Sequence, residues 1–311
     1  MKLSKSIKLV MANFNLFWKV LVYAIFCVLI CALFLLPVLN QLTDALKQSG
    51  FLDDLIKLFN GTAFEGVGMF MTTISNALVS FWIGLKMLAQ QNIAVLIYCV
   101  AIIFIVLPFL IHLSEIAISE CAYGYMSSLN KKSFVVSLLD KLGISSGYSI
   151  LKTLIEIPFY LLVAYATYAL SLNIAINSVT QIIIPLVWVV CIIVLLGLKT
   201  TLFSGWAQAI VTFNTCAGHG LKKGIKSVSR NFLSSLSSFA VVTTILLAVI
   251  VLFGAYALIP LFPLFLLITC VFGQVLFFES QGMDYYTSQD TVVRPRKLEQ
   301  ADSIRKVKFK I

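Results

Sequence analysis

The stretch FLSSLSSFAVVTTILLAVIVLFGAYALIPLFPLFLLITCVFGQVLFF, residues Phe232 to Phe278, has 47 residues and contains no Asp, Glu, Lys or Arg. A helix needs about 20 apolar residues to cross a hydrocarbon core of about 30 Å, so the stretch is long enough for two crossings. Pro260 and Pro263 lie near its centre, and proline interrupts a helix because it has no backbone N–H. The stretch therefore predicts two membrane-spanning helices joined by a tight turn.

The composition of the whole chain agrees with this interpretation. Of 311 residues, 60% are hydrophobic and only 12% are charged, whereas soluble domains are roughly half apolar and about a quarter charged. The 24 Phe, 11 Tyr and 4 Trp residues also supply far more apolar surface than a disordered chain carries. These figures exclude a water-soluble enzyme and an intrinsically disordered protein.

Three further stretches predict the remaining spans. Ile157 to Leu198 is 42 residues without a charge, and Asn173, Asn177 and Gln181 divide it into a second hairpin. Val20 to Leu39 and Ile93 to Ile111 are single apolar runs. The predicted fold is an all-α polytopic membrane helical bundle of six transmembrane helices, near residues 18–39, 92–113, 153–173, 179–199, 233–256 and 260–279. Residues 1–279 form a single membrane domain in this prediction, and residues 280–311 form a basic cytoplasmic tail.

The predicted outer loop, residues 40–91, contains an ambiguous helix at Val67 to Ala89. Its apolar residues recur every three or four positions and form one stripe: Phe70, Ile74, Leu78, Phe81, Leu85 and Leu88. A seventh crossing here would place the later basic loops on the opposite side of the membrane from the earlier ones. We therefore interpret the segment as interfacial or bundle-capping. With the amphipathic segment Leu52 to Phe59 and the Asn60-Gly61 turn signal, it predicts an outer amphipathic helical hairpin.

The basic residues predict the orientation. With six spans, 20 of the 23 Lys and Arg residues fall on one side, and cytoplasmic flanks are enriched in these residues. Both termini are therefore predicted to be cytoplasmic, in the cell (cytoplasmic) membrane. The net charge of +10 lies beside span ends, which indicates contact with anionic lipid headgroups rather than with nucleic acid. Docking of a cytosolic or membrane protein partner to the basic tail is the alternative.

An internal repeat is predicted at an offset of 218 residues. Leu3 to Phe14 aligns with Leu221 to Phe232, with identity at seven of twelve positions, and each copy has the pattern of a basic amphipathic helix that leads into a span. Such a helix lies in the plane of the membrane with its lysines at the headgroups. The candidate headgroup contacts are Lys5, Lys8, Lys223, Lys226 and Arg230. Chance similarity of two generic basic helices is the alternative.

The second copy also carries a family resemblance. Residues 218–232 read Gly-His-Gly-Leu-Lys-Lys-Gly-Ile-Lys-Ser-Val-Ser-Arg-Asn-Phe and lie between the fourth and fifth predicted spans. This segment resembles the corresponding segment of uncharacterised six-span bacterial membrane proteins grouped with the glycerophosphoryl diester phosphodiesterase membrane domain. The resemblance implies a helical membrane module of unknown molecular activity and assigns no catalytic residue. No soluble stretch is long enough for an appended phosphodiesterase domain.

Signals of catalysis and cofactor binding are few. The HExxH, Walker A and GxSxG patterns do not occur. Cys27 and Cys31 lie four residues apart, but without an accompanying His or second cysteine pair they are explained by packing. Neither His112 nor His219 has the spacing of a metal ligand or a catalytic base. The sequence therefore predicts no enzyme activity, no metal site and no cofactor.

Ionisable residues at membrane depth are costly and are candidates for function. Glu156 lies about one turn inside the third predicted span, four residues after Lys152, with which it can pair at the cytoplasmic interface. His112 and Glu115 share a face at the end of the second span, and Gln274 lies within the sixth. The candidate polar pathway consists of Glu156, Gln274, His112 and Glu115.

Two functions remain open at this point. A transport or export component predicts a polar cavity that reaches the middle of the bilayer around Glu156 and Gln274. A non-catalytic scaffold, which binds anionic lipid or a cytosolic partner through its basic helices and tail, predicts a dry apolar interior there.

Overall fold

The computed structural model describes residues 2–59, 67–127, 132–172, 180–229, 232–253 and 258–283. The helices are α1 (Lys2–Ala12), α2 (Phe14–Leu35), α3 (Leu39–Gln48), α4 (Phe51–Phe59), α5 (Val67–Ala101), α6 (Leu107–Met126), α7 (Phe134–Asp140), α8 (Leu142–Ser171), α9 (Thr180–Phe203), α10 (Trp206–Phe213), α11 (Ala217–Ser229), α12 (Phe232–Phe253) and α13 (Leu258–Ser280). No strand occurs in these ranges, so the all-α prediction is confirmed. Asn60-Gly61, Asn173, Asn177, Arg230 and the tail from residue 284 lie outside the described residues.

Six helical segments in these ranges are long and apolar enough to cross a membrane, which agrees with the predicted number. They are Phe14–Gln48, Gly68–Met126, Leu142–Ser171, Ile183–Phe213, Phe232–Ile250 and Leu258–Ser280. The protein is therefore a multi-pass membrane protein. Its orientation in the membrane stays a prediction.

The long helix α5 changes direction at Asn92. The backbone leaves the helical conformation there (φ −158°, ψ 95°), and the Asn92 side-chain oxygen accepts a hydrogen bond from the Ala94 amide at 3.2 Å. Asparagine is a favoured N-cap because it satisfies an amide at the start of a helix. The second half of α5 therefore begins as a separately capped helix at this residue.

The first half of α5 packs against α4 and the neighbouring ends of α8 and α9. Ser80 Oγ donates a hydrogen bond to Asp54 Oδ2 of α4 at 2.9 Å. Ile74 and Leu78, two members of the predicted stripe, are buried in a cluster that also contains Trp188 of α9. These contacts hold α4 against the first half of α5, and the outer position of this pair of helices stays a prediction.

Helix α6 extends beyond the predicted end of the second span. A π-helical turn at Ile102–Val106 precedes it, next to Pro108, whose missing N–H frees a carbonyl in the preceding turn. The span was predicted to end at residue 113, but α6 continues to Met126. His112 and Glu115 are consequently buried inside the bundle and do not lie at its edge.

Helix α13 occupies the centre of the bundle and is largely buried along its second half. A Cβ atom on Gly273 would lie only 2.3 Å from the carbonyl oxygen of Ser204. Glycine is therefore needed where α13 passes the break between α9 and α10 at residues 204–205. This close approach brings Gln208 of α10 to the Cys270 carbonyl, to which it donates at 3.0 Å.

The two basic helices, α1 and α11, pack on the same helix, α13. Leu9 and Val10 of α1 are buried in the core with Leu267 and Val271, so this apolar face is covered by protein. Lys5 Nζ lies 3.5 Å from Glu279 Oε1. Lys8, Lys223 and Lys226 are exposed. We call the end of the bundle formed by α1 and α11 the basic end.

Candidate functional site

Helix α8 presents a polar stripe to its neighbours. The stripe repeats every four residues, close to the 3.6-residue helical period, and consists of Tyr148, Lys152, Glu156 and Tyr160. Tyr148 and Glu156 are fully buried, and Lys152 is only 7% exposed. Because α8 packs on α6, the stripe meets the polar residues of α6 inside the bundle.

The carboxylate of Glu115 on α6 is fully engaged. Its Oε1 accepts a hydrogen bond from Lys152 Nζ at 2.7 Å, and its Oε2 accepts one from the Tyr148 hydroxyl. Charge-assisted hydrogen bonds of this kind are stronger than neutral ones. They hold Glu115 and Lys152 as a buried ion pair.

The carboxylate of Glu156 has one engaged and one unpaired oxygen. Its Oε2 lies 2.8 Å from Lys199 Nζ of α9 and accepts a hydrogen bond from the Tyr160 hydroxyl at 2.7 Å. Lys199 also donates to the Tyr160 oxygen at 2.8 Å. Oε1 has no hydrogen-bond donor, since its nearest cation, Lys152 Nζ, lies 3.8 Å away.

His112 bridges the two carboxylates. Its Nδ1 lies 2.8 Å from Glu115 Oε1, and its Nε2 lies 3.2 Å from Glu156 Oε2. A neutral imidazole donates from only one nitrogen, so two hydrogen bonds require an imidazolium or a protonated carboxyl group. The arrangement can therefore hold a proton and pass it between the two carboxyl groups.

We call these seven residues the charged cluster: His112, Glu115, Tyr148, Lys152, Glu156, Tyr160 and Lys199. Its two carboxylates and two ammonium groups balance in charge. Taking such groups out of water costs several kcal/mol per ion, and pairing offsets this cost only in part. Buried ion pairs are thus poor stabilisers, and their presence within segments long enough to cross a membrane marks a candidate functional site.

Every residue of the charged cluster except Tyr148 lines a cavity of about 310 Å³. Thr200, Ser204, Gln208 and Thr269 extend the polar lining. The apolar lining comes mainly from the π-helical turn, the start of α6 and the first half of α13. Its side chains include Ile103, Phe104, Leu107, Phe262, Phe265 and Leu266. The cavity therefore has both charged and apolar lining, as a site for an amphipathic ligand requires.

Three of the four residues in the predicted polar pathway come together in the cavity: His112, Glu115 and Glu156. Gln274 does not line the cavity. It is buried elsewhere and donates to Thr212 Oγ1 at 3.3 Å. Lys152 and Glu156 form the predicted ion pair at 3.8 Å, but both residues are buried and Lys152 has a closer partner in Glu115, at 2.7 Å.

Sequence reasoning missed Tyr148, Tyr160, Lys199 and Gln208. The four-residue spacing of the α8 stripe was a signal for both tyrosines. Lys199 was interpreted as a cytoplasmic flank because it follows a charge-free run, and no local pattern distinguishes Gln208.

Within the described ranges, no cluster of His, Cys, Asp and Glu could hold a metal ion, and the carboxylates of the charged cluster are already paired with lysines. Cys27 and Cys31 are buried free thiols.

No protein-family model, curated protein or solved structure matches the chain. The resemblance to the phosphodiesterase membrane-domain group therefore stays a prediction.

Proposed function

We propose that the protein is a membrane transport or export component, that its binding site is the cavity beside the charged cluster, and that it is not an enzyme. One observation carries the proposal: two glutamates, a lysine and a histidine are buried together at membrane depth, and with the half-buried Lys199 they line a cavity of about 310 Å³. A scaffold has no need of such a cavity, and its apolar interior would be more stable without the charges.

The hydrogen-bond network supports a proton-linked form of this function. His112 contacts a carboxylate with each ring nitrogen, so a change at one carboxylate alters the hydrogen bonding of the other. Proton relays built from Asp, Glu and His are typical of pumps and transporters. A ligand that engages Glu156 would change where the shared proton resides.

Accessibility of the cavity to water tests the proposal. Thr200 on α9 lines the cavity, whereas Val194 on the same helix is 51% exposed on the outer surface of the bundle, where lipid would cover it. Variants T200C and V194C would be treated with a membrane-impermeant cationic methanethiosulfonate in inside-out and right-side-out vesicles. Peptide mass spectrometry then separates the new thiol from the native cysteines.

A transport cavity predicts that T200C reacts in both vesicle orientations and at least about tenfold faster than V194C. Reaction in neither orientation would mean that no aqueous path reaches the cavity. Reaction in only one orientation would reduce the site to a binding pocket and would contradict transport.

The basic end supports a second role, contact with anionic lipid headgroups. Lys8, Lys223 and Lys226 are exposed beside the exposed apolar side chains of Ile7 and Ile225. A basic helix face with apolar neighbours fits the boundary between headgroups and acyl chains. This role is compatible with transport and is tested by the lysine substitutions described in the Discussion.

A further inference from the structure

Two side chains that line the cavity each have a buried oxygen without a hydrogen-bond donor: Glu156 Oε1 and Gln208 Oε1. The orientation of the Gln208 amide is fixed by its partners. Nε2 donates to the Cys270 carbonyl at 3.0 Å and to Ser119 Oγ at 3.3 Å. The flipped amide would place its oxygen against that carbonyl, so the unpaired atom is the acceptor.

An unpaired buried acceptor is unfavourable because it has lost its hydrogen bonds to water. Among the cavity-lining side chains in the described residues, the buried atoms without a partner are these two acceptors. The nearby donors are engaged, since Lys152 binds Glu115 and Lys199 binds Glu156. Beside the cavity, the buried donors in the described residues already have acceptors, and these two acceptors lack donors until a side chain turns toward the cavity.

On the basis of the proposed transport function, we propose that the ligand is a small amphiphile whose head donates hydrogen bonds and carries no negative charge. A hydroxyl or ammonium head would pair with Glu156 and Gln208. A short apolar tail would lie against Phe262, Phe265 and Leu266. The volume of about 310 Å³ is at the low end of the range of ligand pockets, about 300–1,000 Å³, which favours a short tail.

Binding includes a small side-chain movement. Both oxygens are closed to solvent in this conformation, so the Glu156 carboxylate rotates toward the cavity when the head arrives, and the Gln208 amide shifts while Nε2 keeps its hydrogen bonds. An anionic head would gain no donor from this movement and would meet the Glu156 charge.

Three probes with the same eight-carbon tail test the proposal: octylamine, octanol and nonanoate. Nonanoate is the anionic probe. Each is added to T200C vesicles before the cationic methanethiosulfonate, and protection of the introduced thiol is measured against probe concentration. The exposed native Cys216 is the internal control and should not be protected. We expect octylamine and octanol to protect at concentrations about tenfold below nonanoate, as gaining one charge-assisted hydrogen bond implies.

Two buried glutamines supply a matched pair of variants. Gln208 and Gln274 each have an unpaired Oε1, but only Gln208 lines the cavity. In the T200C background, Q208M should reduce the preference for donor heads over nonanoate severalfold, and Q274M should leave it unchanged. Thermal unfolding of both variants establishes that each is folded.

The outcomes separate the two proposals. If T200C reacts but nonanoate protects as well as octylamine, or if no probe protects, the ligand class is wrong and the aqueous cavity stands. An equal loss of preference in Q208M and Q274M also contradicts the ligand class. If T200C does not react at all, both proposals fail.

Discussion

Lysines occupy two very different environments in this protein. Lys152 and Lys199 lie against carboxylates in the charged cluster, inside the bundle, whereas Lys8, Lys223 and Lys226 are exposed at the basic end. A buried charge must be paired to be tolerated, and an exposed one is solvated and screened. The comparison shows that the exposed lysines carry information about membrane orientation and lipid contact. The interior lysines determine the chemistry of the cavity.

The largest difference between the two environments should appear when one buried partner is removed. K152M leaves the Glu115 carboxylate buried with only His112 and Tyr148 as partners. Breaking a buried pair in this way costs about 3–5 kcal/mol. We expect a strongly lowered midpoint of thermal unfolding in detergent and a lower yield of folded protein. A midpoint within a degree or two of the wild type would show that the pair is not buried.

The exposed lysines should behave in the opposite way. K8Q and K226Q should each change the free energy of unfolding by no more than about 0.5 kcal/mol. K223Q should cost up to about 1 kcal/mol, because Lys223 Nζ lies 4.0 Å from the centroid of the Phe213 ring. Each lysine near an anionic leaflet contributes about 1 kcal/mol of attraction, which is about fivefold in affinity. We expect the triple variant to lose most of the thermal stabilisation that anionic lipid gives to the wild type in nanodiscs. Retention of that stabilisation would contradict headgroup contact.

The smallest effect concerns Cys216, an exposed thiol at the start of α11. A hydrogen bond between its Sγ and His219 Nδ1, 3.2 Å apart, lowers the pKa of the Cys216 thiol below its ordinary value. More of the thiol is then thiolate at neutral pH, and the thiolate is the reactive form. We expect H219A to slow alkylation of Cys216 by iodoacetamide at pH about 7 and to have little effect at pH about 10, above the usual thiol pKa of about 8.5.

The same alkylation measured with an impermeant reagent reports orientation. Cytoplasmic placement of the basic end predicts reaction in inside-out vesicles and protection in right-side-out vesicles. The reverse pattern would invert the predicted topology.

Features that depend on length and periodicity could be predicted from the sequence. The charge-free run Phe232 to Phe278 predicted two long apolar helices, and both α12 and α13 are present. The apolar stripe predicted on Val67 to Ala89 packs against protein in part, since three of its members, Ile74, Leu78 and Leu88, are buried. In these segments each residue is placed by its own hydrophobicity and position, so no information from other helices is needed.

The charged cluster could be predicted only in part, because pairing between distant helices decides it. The second predicted span ends at residue 113, before the charges of Glu115 and Glu120, but Glu115 pairs with Lys152 on α8 and Glu120 with Lys132 beyond the helix. Lys199 directly follows the charge-free run that ends at Leu198, and nothing in that run indicates its pairing with Glu156. The sequence contains all these charges, and only the tertiary contacts show which of them meet.

The charged cluster has a role either in the cavity or in stabilising the fold. The thermal unfolding midpoint of the double variant E115Q/K152M distinguishes these two roles most directly. Replacing a buried ion pair with neutral groups of similar size is often neutral or stabilising. If the pair is retained for the site, the midpoint should return to that of the wild type or rise above it, despite the large loss in K152M alone. A double variant that stays as unstable as K152M would show that the pair is a structural brace and would contradict this interpretation.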